Sequence, residues 1–440
     1  MTAVTTGGLP AAGPAVTTAA RAAGDVGRWD AGRVPVPGLS EVLSPGGWPY
    51  ASSAPAEPGD PGRFQALFGR DAAITSLQVL PARPDVARAT LRELAARQGR
   101  RDDPVTLEEP GKIGHEFRAV APVGFLPADW PRRDTFAYYA TADATSWFLV
   151  LLAAVASAPG AEPGAVPDGA PDGAALVREL EPAWRAAADW LARALDRGDG
   201  LVRHAPGSHP GGLTQQGWRD ARDPASPRGT GILLPDGTVP PPPLADADTQ
   251  AVTVAALRAL ARLTGDDGWQ ERAAALRSLV TARFLPDVLA RCDGDRPVVG
   301  AGSQLGWLLW ADAVEPAAVP DVAERLCRPD VRTPFGLRTL SSAAPCFDPA
   351  AYHRGGIWPF DSWLGWGGLR AAGRDVEADA VRSGVLAALD RLGRYPELYE
   401  VDRDGRLRPS PLANRVQAWT VGARWALEHR WDGRTPPQGR

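Results

Sequence analysis

The apolar residues of this chain recur at three- and four-residue steps along most of its length. Between residues 174 and 195, for example, Leu176, Leu180 and Trp184 begin a series that ends at Leu195. This spacing is typical of helices that bury one face. Alternating patterns of the kind that predict strands are scarce. The sequence therefore predicts an all-α protein.

Many of the predicted helices follow one another as pairs joined by short loops, which favours antiparallel hairpins. The pairs are 249–263 with 269–284, 303–313 with 316–326, and 361–372 with 376–392; single helices are predicted at 85–98, 174–195 and 413–430. In all, we expect about eleven helices. A closed ring of six hairpins would need about twelve, and residues 18–27 could supply another.

Segments rich in proline and glycine interrupt the helical pattern at the first 45 residues, at 159–173 and at 235–243. Such segments form surface loops or tails. The expected organisation is a Pro/Gly/Ala-rich segment over 1–45, one catalytic domain over 46–431 and a polar tail over 432–440.

Charge and composition exclude several classes of function. The formal net charge is −4, and basic and acidic residues are interspersed, so no footprint for nucleic acid or an anionic membrane appears. We find no membrane-spanning apolar run and no signal-peptide pattern. The three cysteines fit neither a disulfide framework nor a metal site. A cytoplasmic protein is expected.

Lysine and asparagine each occur once in the chain, as Lys112 and Asn414. A residue type that is nearly absent elsewhere can persist where the chemistry needs it, so both residues are of interest.

Long loops carry the candidate chemistry, and Asp220 is the candidate general acid. It follows Trp218 by two residues, and burial beside an aromatic ring raises a carboxyl pKa, which keeps a proton available. A helix cap or a salt bridge with Arg219 or Arg222 would explain Asp220 equally well.

Glu397 is the candidate general base. Pro396 ends the preceding helix and presents Glu397 between two tyrosines, a setting that suits a carboxylate holding a water against a sugar ring. An ordinary turn after a helix is the alternative, and Glu400 is a rival for the same role.

Further loop residues are candidate contacts to a sugar. Arg70 and Asp71 stand at a helix start, where Asp71 could instead be an N-cap. The segment 108–116 concentrates charge, although a solvated charged surface would look the same. The 16 tryptophans offer rings that suit sugar C–H surfaces, but many must be plain core. The candidates from these loops are Arg70, Asp71, Lys112, His115, Glu116, Gln216, Gly217, Trp218, Tyr352, His353 and Trp358.

Taken in order, these motifs resemble the amylo-α-1,6-glucosidase and glycogen-debranching-like proteins, and more distantly the clan of inverting α-glucosidases, mannosylglycerate hydrolases and trehalases. The resemblance covers about residues 64–427. Its motifs are Phe68 to Asp71, Ala95 to Gly99, Glu108 to Ile113, Asp143 to Thr145, Gln216 to Asp220, Gly302 to Gln304, Arg338 to Ser341, Tyr352 to Pro359, Pro396 to Leu398 and Gln417 to Trp419.

The resemblance implies an (α/α)6 toroid with its active site at one mouth. The residues that it implies for the lining of the sugar site are Arg70, Asp71, Gln216, Trp358, Gln417 and Trp419. It further implies that Asp220 is the general acid and Glu397 the general base of an inverting glycoside hydrolase, with carboxyl groups roughly 6.5–9.5 Å apart. The substrate would be an α-linked glucose-type sugar, and no metal or organic cofactor is implied. Only about 60 residues precede the Gly-Arg-Asp motif, which favours a small α-glucoside over a long glycogen chain.

Two alternatives stay open from the residues. A carbon–oxygen lyase or epimerase on the same toroid would need a tyrosine–histidine or paired-histidine centre, and the chain has 5 histidines. A non-catalytic carbohydrate-binding protein would keep the tryptophans without needing both Asp220 and Glu397. A terpene-cyclase toroid, suggested by Asp246 and Asp248, lacks a second acidic cluster. The exact sugar, linkage and oligomeric state are left undetermined.

Overall fold

The computed structural model describes residues 35–55, 64–118, 136–157, 173–209, 212–220 and 231–434. Within them lie twelve α-helices: α1 (Gly69–Val79), α2 (Pro84–Ala96), α3 (Ala144–Ala156), α4 (Gly173–Glu179), α5 (Glu181–Arg197), α6 (Ala247–Thr264), α7 (Asp267–Phe284), α8 (Gln304–Trp310), α9 (Val319–Cys327), α10 (Pro359–Ala371), α11 (Asp375–Leu392) and α12 (Ala418–Glu428). The predicted helix near 18–27 lies outside the described residues.

The helices form two concentric layers. The inner helices α1, α3, α6, α8, α10 and α12 contact one another in that order, and α12 returns to α1, so the ring is closed. The other helices pack outside this ring, as α7 does on α6 and α9 on α8. The expected (α/α)6 toroid is confirmed.

Burial explains which helices the sequence reveals. The outer helices α5 and α11 bury one face, as their periodicity predicts. In contrast, α3 buries every residue from Ala144 to Val155. A helix that is apolar all round carries no amphipathic period, and none of the predicted ranges contains α3.

Two predicted helices have different bounds in the structure. The range 174–195 is divided into α4 and α5, with Pro182 in the first turn of α5. Proline has no N–H to donate and its ring clashes with the carbonyl four residues earlier, so it begins a helix more readily than it continues one. The range 413–430 is helical only from Ala418, because Gln417 has an extended backbone as the N-cap.

Short antiparallel strands stand near the N-terminal ends of the inner helices. They form two three-stranded sheets, β1 (Leu67–Phe68), β2 (Glu116–Arg118) and β3 (Phe136–Tyr138), and β4 (Ala245–Asp246), β5 (Val288–Cys292) and β6 (Arg296–Val299). Two hairpins complete the set, β7 (Arg332–Thr333) with β8 (Gly336–Leu337), and β9 (Tyr399–Val401) with β10 (Leu407–Pro409). Residue Phe68 pairs with Glu116, which in turn pairs with Tyr138. These strands align the starts of the inner helices.

Chain segments near both ends of the described region pack on the ring. Leu39 and Val42 are buried with Val421 of α12. At the other end, the Trp431 indole donates to the Leu77 carbonyl of α1 at 2.8 Å. The domain bounds given above stay a prediction. No helix in the described part of the chain is long and apolar enough to cross a membrane.

Candidate active site

Polar side chains gather where the inner helices begin. The residues that precede α3, α6, α8 and α12 are Asp143, Asp246, Ser303 and Gln417, and all four are buried. A helix N-terminus presents unpaired N–H groups and the positive end of the helix dipole, which favours acidic side chains there. The toroid therefore collects its buried carboxylates at one mouth.

Arg70, in the first turn of α1, is the centre of an ion-pair network. Its Nη2 lies 2.8 Å from Oδ2 of Asp220, and its Nη1 lies 3.2 Å from Oδ1 of Asp143. Its Nε is 3.7 Å from Asp71. The Arg70 and Asp143 side chains are 4% and 0% exposed, whereas Asp220 is 21% exposed. One cation thus holds three carboxylates, of which Asp220 is the most accessible.

Two histidines flank the Asp220 carboxyl group. His115 Nε2 lies 3.9 Å from Oδ2, and His353 Nε2 lies 3.8 Å from Oδ1, both too long for a direct hydrogen bond. Burial lowers the pKa of His115 to about 4 and also lowers that of His353. Both imidazoles are therefore neutral at neutral pH, and Arg70 is the permanent cation at Asp220.

The pKa of Asp220 differs from the sequence-based expectation. Burial raises it, but the charge of Arg70 and the neighbouring His353 outweigh burial and bring the pKa well below the ordinary range. The predicted cause, an indole against the carboxyl group, is replaced by core packing: Trp218 is 1% exposed and stacks on Trp307, with ring centroids 5.9 Å apart. Asp220 is thus an ionised carboxylate in this structure.

The pKa of Asp71 shifts in the opposite direction to that of Asp220. Burial raises its pKa to about 8, the charge of Arg70 lowers it, and the charges of Asp220 and Glu397 raise it. Because both candidate catalytic carboxylates act on Asp71, the three acids share one electrostatic environment. Asp71 is the one that carries a proton at neutral pH.

Glu397 is 2% exposed and is held by donors from two loops. The Tyr352 hydroxyl donates to its Oε1. The Asn414 backbone N–H and side-chain Nδ2 both donate to its Oε2, at 3.2 and 3.0 Å. Its rival Glu400 lies in β9 opposite Arg408 of β10. The structure thus shows Glu397 buried and held by these donors, and the choice between Glu397 and Glu400 as the base stays a prediction.

Aromatic rings form the wall behind these carboxylates. His353 is parallel to Trp358 at 5.2 Å, and the Trp358 indole donates to the Tyr352 carbonyl at 2.8 Å. Trp419 stacks on Phe360 at 3.9 Å. The Trp358 and Trp419 side chains are buried, so packing in the wall accounts for them, and their contact with a sugar stays a prediction.

The remaining predicted residues divide between the site and its supports. Gln216 donates to the Ala205 carbonyl, and a Cβ at Gly217 would come within 2.7 Å of the Asp246 carboxylate. Glu116 accepts from Arg118. Lys112 contacts Glu109 at 3.4 Å and lies 5.6 Å from the centroid of a Trp190 ring, so its contacts join loop 108–116 to α5. For these residues a contact with substrate stays a prediction.

Arg219 is a supporting residue that the sequence argument did not place. The sequence allows a salt bridge between Arg219 and Asp220. In the structure the Arg219 guanidinium instead points inward and donates to Asp248 at 3.0 Å, to Ser303 Oγ at 3.1 Å and to the Thr339 carbonyl at 2.7 Å. The Asp248 that suggested a terpene cyclase is thus a buried counter-ion. No local signal in the sequence separates an inward from an outward arginine.

Asp143 and Asn414 belong to the site in the structure but are not among the candidates predicted from the sequence. Asp143 appeared only within a motif, and its contact with Arg70 spans 73 residues of sequence. Asn414 had a usable signal, since it is the only asparagine in the chain. Among the described residues, no group of three or more histidine, cysteine or acidic side chains is arranged to hold a metal ion.

Comparisons with known proteins show the family and the fold of the chain. The sequence model of one protein family matches residues 71–410, and this family is described as the mannosylglycerate hydrolase MGH1-like glycoside hydrolase domain. No curated protein matches the chain.

Solved structures of a GH63 mannosylglycerate hydrolase from Thermus thermophilus share the fold at low identity. The complex with Tris is 18% identical with a TM-score of 0.62, over 88% of this chain and 98% of that one. The complex with Tris and D-glycerate is 17% identical with a TM-score of 0.62, over 89% and 99%. The glucose complex is 17% identical with a TM-score of 0.60, over 90% and 99%. Because the family model spans most of the chain, this protein belongs to the MGH1-like family of glycoside hydrolases.

Proposed function

We propose that this chain is an inverting glycoside hydrolase that releases a glucose-type sugar from a small α-glycoside. The observation that carries the proposal is that contacts link Asp220 and Glu397, which are distant in sequence: the Tyr352 hydroxyl donates to Glu397, the Tyr352 and His353 ring centroids are 4.7 Å apart, and His353 Nε2 lies 3.8 Å from Asp220. A glycosidase needs two carboxyl groups flanking one bond. A non-catalytic binding protein would have no need to hold both.

Asp220 acts as the general acid in this proposal. It is the most exposed of the three carboxylates on Arg70, so a leaving-group oxygen can reach it. An acid must be protonated when the glycosidic bond breaks, and the contact with Arg70 opposes that protonation. We therefore infer that sugar binding weakens the Arg70–Asp220 contact, because hydroxyl groups of the sugar compete for the guanidinium.

Glu397 acts as the general base. Donors from Tyr352 and Asn414 favour its ionised form and fix its direction, both of which a base needs. It would deprotonate a water that attacks the anomeric carbon from the face opposite Asp220, and the configuration would invert. The carboxyl separation of roughly 6.5–9.5 Å that inversion requires is part of the proposal.

For the substrate, we favour a sugar linked to a small aglycone, such as glucosylglycerate or mannosylglycerate. The relatives support this choice, since the Thermus protein is a mannosylglycerate hydrolase whose structures hold D-glycerate and glucose. A debranching-like α-1,6-glucosidase is the second candidate, favoured by the ordered motifs of the sequence.

Proton NMR of the anomeric product tests the proposal. The purified protein is given glucosylglycerate, mannosylglycerate, trehalose, isomaltose and panose in turn. We expect fresh β-anomer from a glycerate glycoside, and Asp220→Asn and Glu397→Gln should each lose at least about a hundredfold in kcat. Product from isomaltose or panose alone would support debranching instead. Fresh α-anomer would refute the assigned acid and base.

A further inference from the structure

The only asparagine in 440 residues contacts the proposed general base. Asn414 lies in the loop between β10 and α12 and is 1% exposed. Elsewhere the chain turns and caps its helices without asparagine, as Asp246 and Asp266 do at the starts of α6 and α7. A turn alone therefore does not explain why asparagine stands here.

The contacts of Asn414 join two parts of the site. Its Nδ2 donates one hydrogen to Oε2 of Glu397 at 3.0 Å and the other to Oε1 of Gln417 at 3.2 Å. Two further hydrogen bonds involve the main chain. The Glu397 N–H donates to the Asn414 carbonyl at 3.1 Å, and the Asn414 N–H donates to Oε2 of Glu397 at 3.2 Å. The loop is thus fastened to Glu397 by three hydrogen bonds.

The direction of the Asn414 amide follows from its surroundings. Both neighbours of Nδ2 are acceptor oxygens, so the reverse orientation would set Oδ1 against two oxygens. In the observed orientation Oδ1 has no hydrogen-bond partner in the part of the chain that the structure describes. The observed orientation directs both hydrogens of the amide at acceptors, one on Glu397 and one on Gln417.

No other side chain of this size supplies the same pair of donors. Aspartate has two acceptors and would face Glu397 with a like charge, and serine has a single hydroxyl hydrogen. We propose that Asn414 is a positioning residue for the reaction: its amide holds Glu397 in the direction from which it activates water, and it orients Gln417 for the sugar. This inference rests on the proposed function of Glu397.

Two variants and a control test the inference on the full-length protein. Asn414→Ala removes the amide, Asn414→Asp replaces its donors with a carboxylate, and Gln98→Ala is the control. Gln98 is a half-buried amide in the outer layer whose Nε2 donates to the Gly111 and Ala183 carbonyls at 2.8 and 2.9 Å. It therefore reports what loss of a two-bond amide does to stability away from the site.

Steady-state kinetics on the substrate identified by NMR give the first readout. We expect Asn414→Ala to lower kcat about tenfold or more. In Asn414→Asp the acid limb of the kcat/KM profile should move up by about one pH unit, because a neighbouring carboxylate raises the pKa of Glu397. Gln98→Ala should keep both kcat and the profile. If Asn414→Ala keeps kcat within about twofold of the wild type, or if the acid limb of Asn414→Asp does not move, the positioning role is wrong.

Calorimetric titration with glucose gives a second readout that does not need turnover. Asn414→Ala should bind glucose at least about fivefold more weakly, since Gln417 loses the donor that orients it. Equal affinity in wild type and variant, or no binding to either, would overturn the link to Gln417. A wild type that hydrolyses none of the panel would count against the proposed function, while the glucose titration would still decide the link to Gln417.

Discussion

At the scale of single residues, Asp220 shows how polar and charged neighbours together can reverse the effect of burial. A carboxyl group that leaves water becomes a weaker acid, whereas a cation at hydrogen-bond distance makes it a stronger one. At Asp220 the charge of Arg70, 2.8 Å away, acts together with His353 and His115, and their sum outweighs burial. At Asp71 the nearest Arg70 nitrogen is 3.7 Å away, and the charges of Asp220 and Glu397 add to the effect of burial, so the pKa rises. The two aspartates thus differ in charge because their neighbours differ.

Removal of Arg70 should be costly, because it leaves buried carboxylates without their counter-ion. We expect Arg70→Met to lower the free energy of unfolding by about 3–5 kcal/mol at neutral pH. Arg92→Met is the matched control, since Arg92 pairs with Glu179 at 2.7 Å but both side chains are more than 40% exposed. That change should cost about 1 kcal/mol or less. Similar losses in urea titrations of the two variants would contradict a buried network.

Asp71 should make stability depend on pH in a definite direction. Its folded-state pKa is about 8 and its ordinary value is 3.8, so between these values the folded state holds a proton that the unfolded state has released. Stability from this group is therefore complete below about pH 4 and falls as pH rises towards 8.

Asp71→Asn removes that titration while keeping the shape of the side chain. Relative to wild type, the variant should gain at least about 1 kcal/mol in unfolding free energy between pH 5 and pH 8. Asp236→Asn serves as control, because hydrogen bonds from Thr238 lower the pKa of Asp236 and it stays ionised across this range in both states. Urea midpoints at the two pH values decide the matter, and parallel curves for wild type and Asp71→Asn would refute it.

At the scale of elements, α8 and α10 touch through their backbones. A Cβ added at Gly306 of α8 would lie 2.5 Å from the Cα of Gly365 of α10. Helices approach this closely only where both present small residues. This contact holds α10 close to α8. The loop that precedes α10, which carries Tyr352 and His353, is thereby held close to the inner ring.

Gly306→Ala should therefore separate the two helices. We expect it to lower the free energy of unfolding by about 1–3 kcal/mol, despite the higher helix propensity of alanine. Gly268→Ala, in the first turn of α7, is a fair control, since its nearest atom would be the Asp266 carboxylate at 3.1 Å. It should stay within about 1 kcal/mol of wild type. Thermal melts compare the two, and an unchanged midpoint for Gly306→Ala would show that the helices can adjust.

At the scale of the whole molecule, indole N–H groups attach the segment that follows α12 to the ring of inner helices. Trp310 of α8 donates to the Asp432 carbonyl at 2.7 Å, and Trp363 of α10 donates to the Trp431 carbonyl at 2.8 Å. The Trp431 indole in turn reaches α1. Residues 431–432 thus join three inner helices that are distant in sequence.

Loss of the Trp431 side chain should weaken the whole ring. We expect Trp431→Ala to cost about 2 kcal/mol or more, because it removes an indole together with its hydrogen bond to the Leu77 carbonyl. Trp269→Ala, a half-buried tryptophan of α7, should cost less, since no ring-closing bond is lost. Calorimetric melting of both variants would test this, and a larger loss at Trp269 would contradict it.

Much of the fold was predictable from local pattern. The amphipathic outer helices follow from spacing, because one face of each meets the core and the other meets water. The break at Pro182 and the uniformly buried α3 were not predicted: the first depends on how a proline is accommodated, and the second has no polar face to mark it. Asp220, Glu397 and Arg70 are predicted from local chemistry and motif order, and their roles stay predictions. Asp143, Arg219 and the role of Asn414 were not, because their partners lie far away in sequence.

The sequence by itself determined the class of fold, the helix pairing and the residue types available for acid–base chemistry, since these follow from periodicity, turn residues and motif order. Only the tertiary structure decided which carboxylate holds a proton. That choice depends on burial and on the distances from each carboxylate to Arg70 and to its other charged neighbours, since Asp143 lies 3.2 Å from Arg70 and its pKa is nevertheless raised. These surroundings come from segments that are distant in sequence, and no local stretch of sequence contains them.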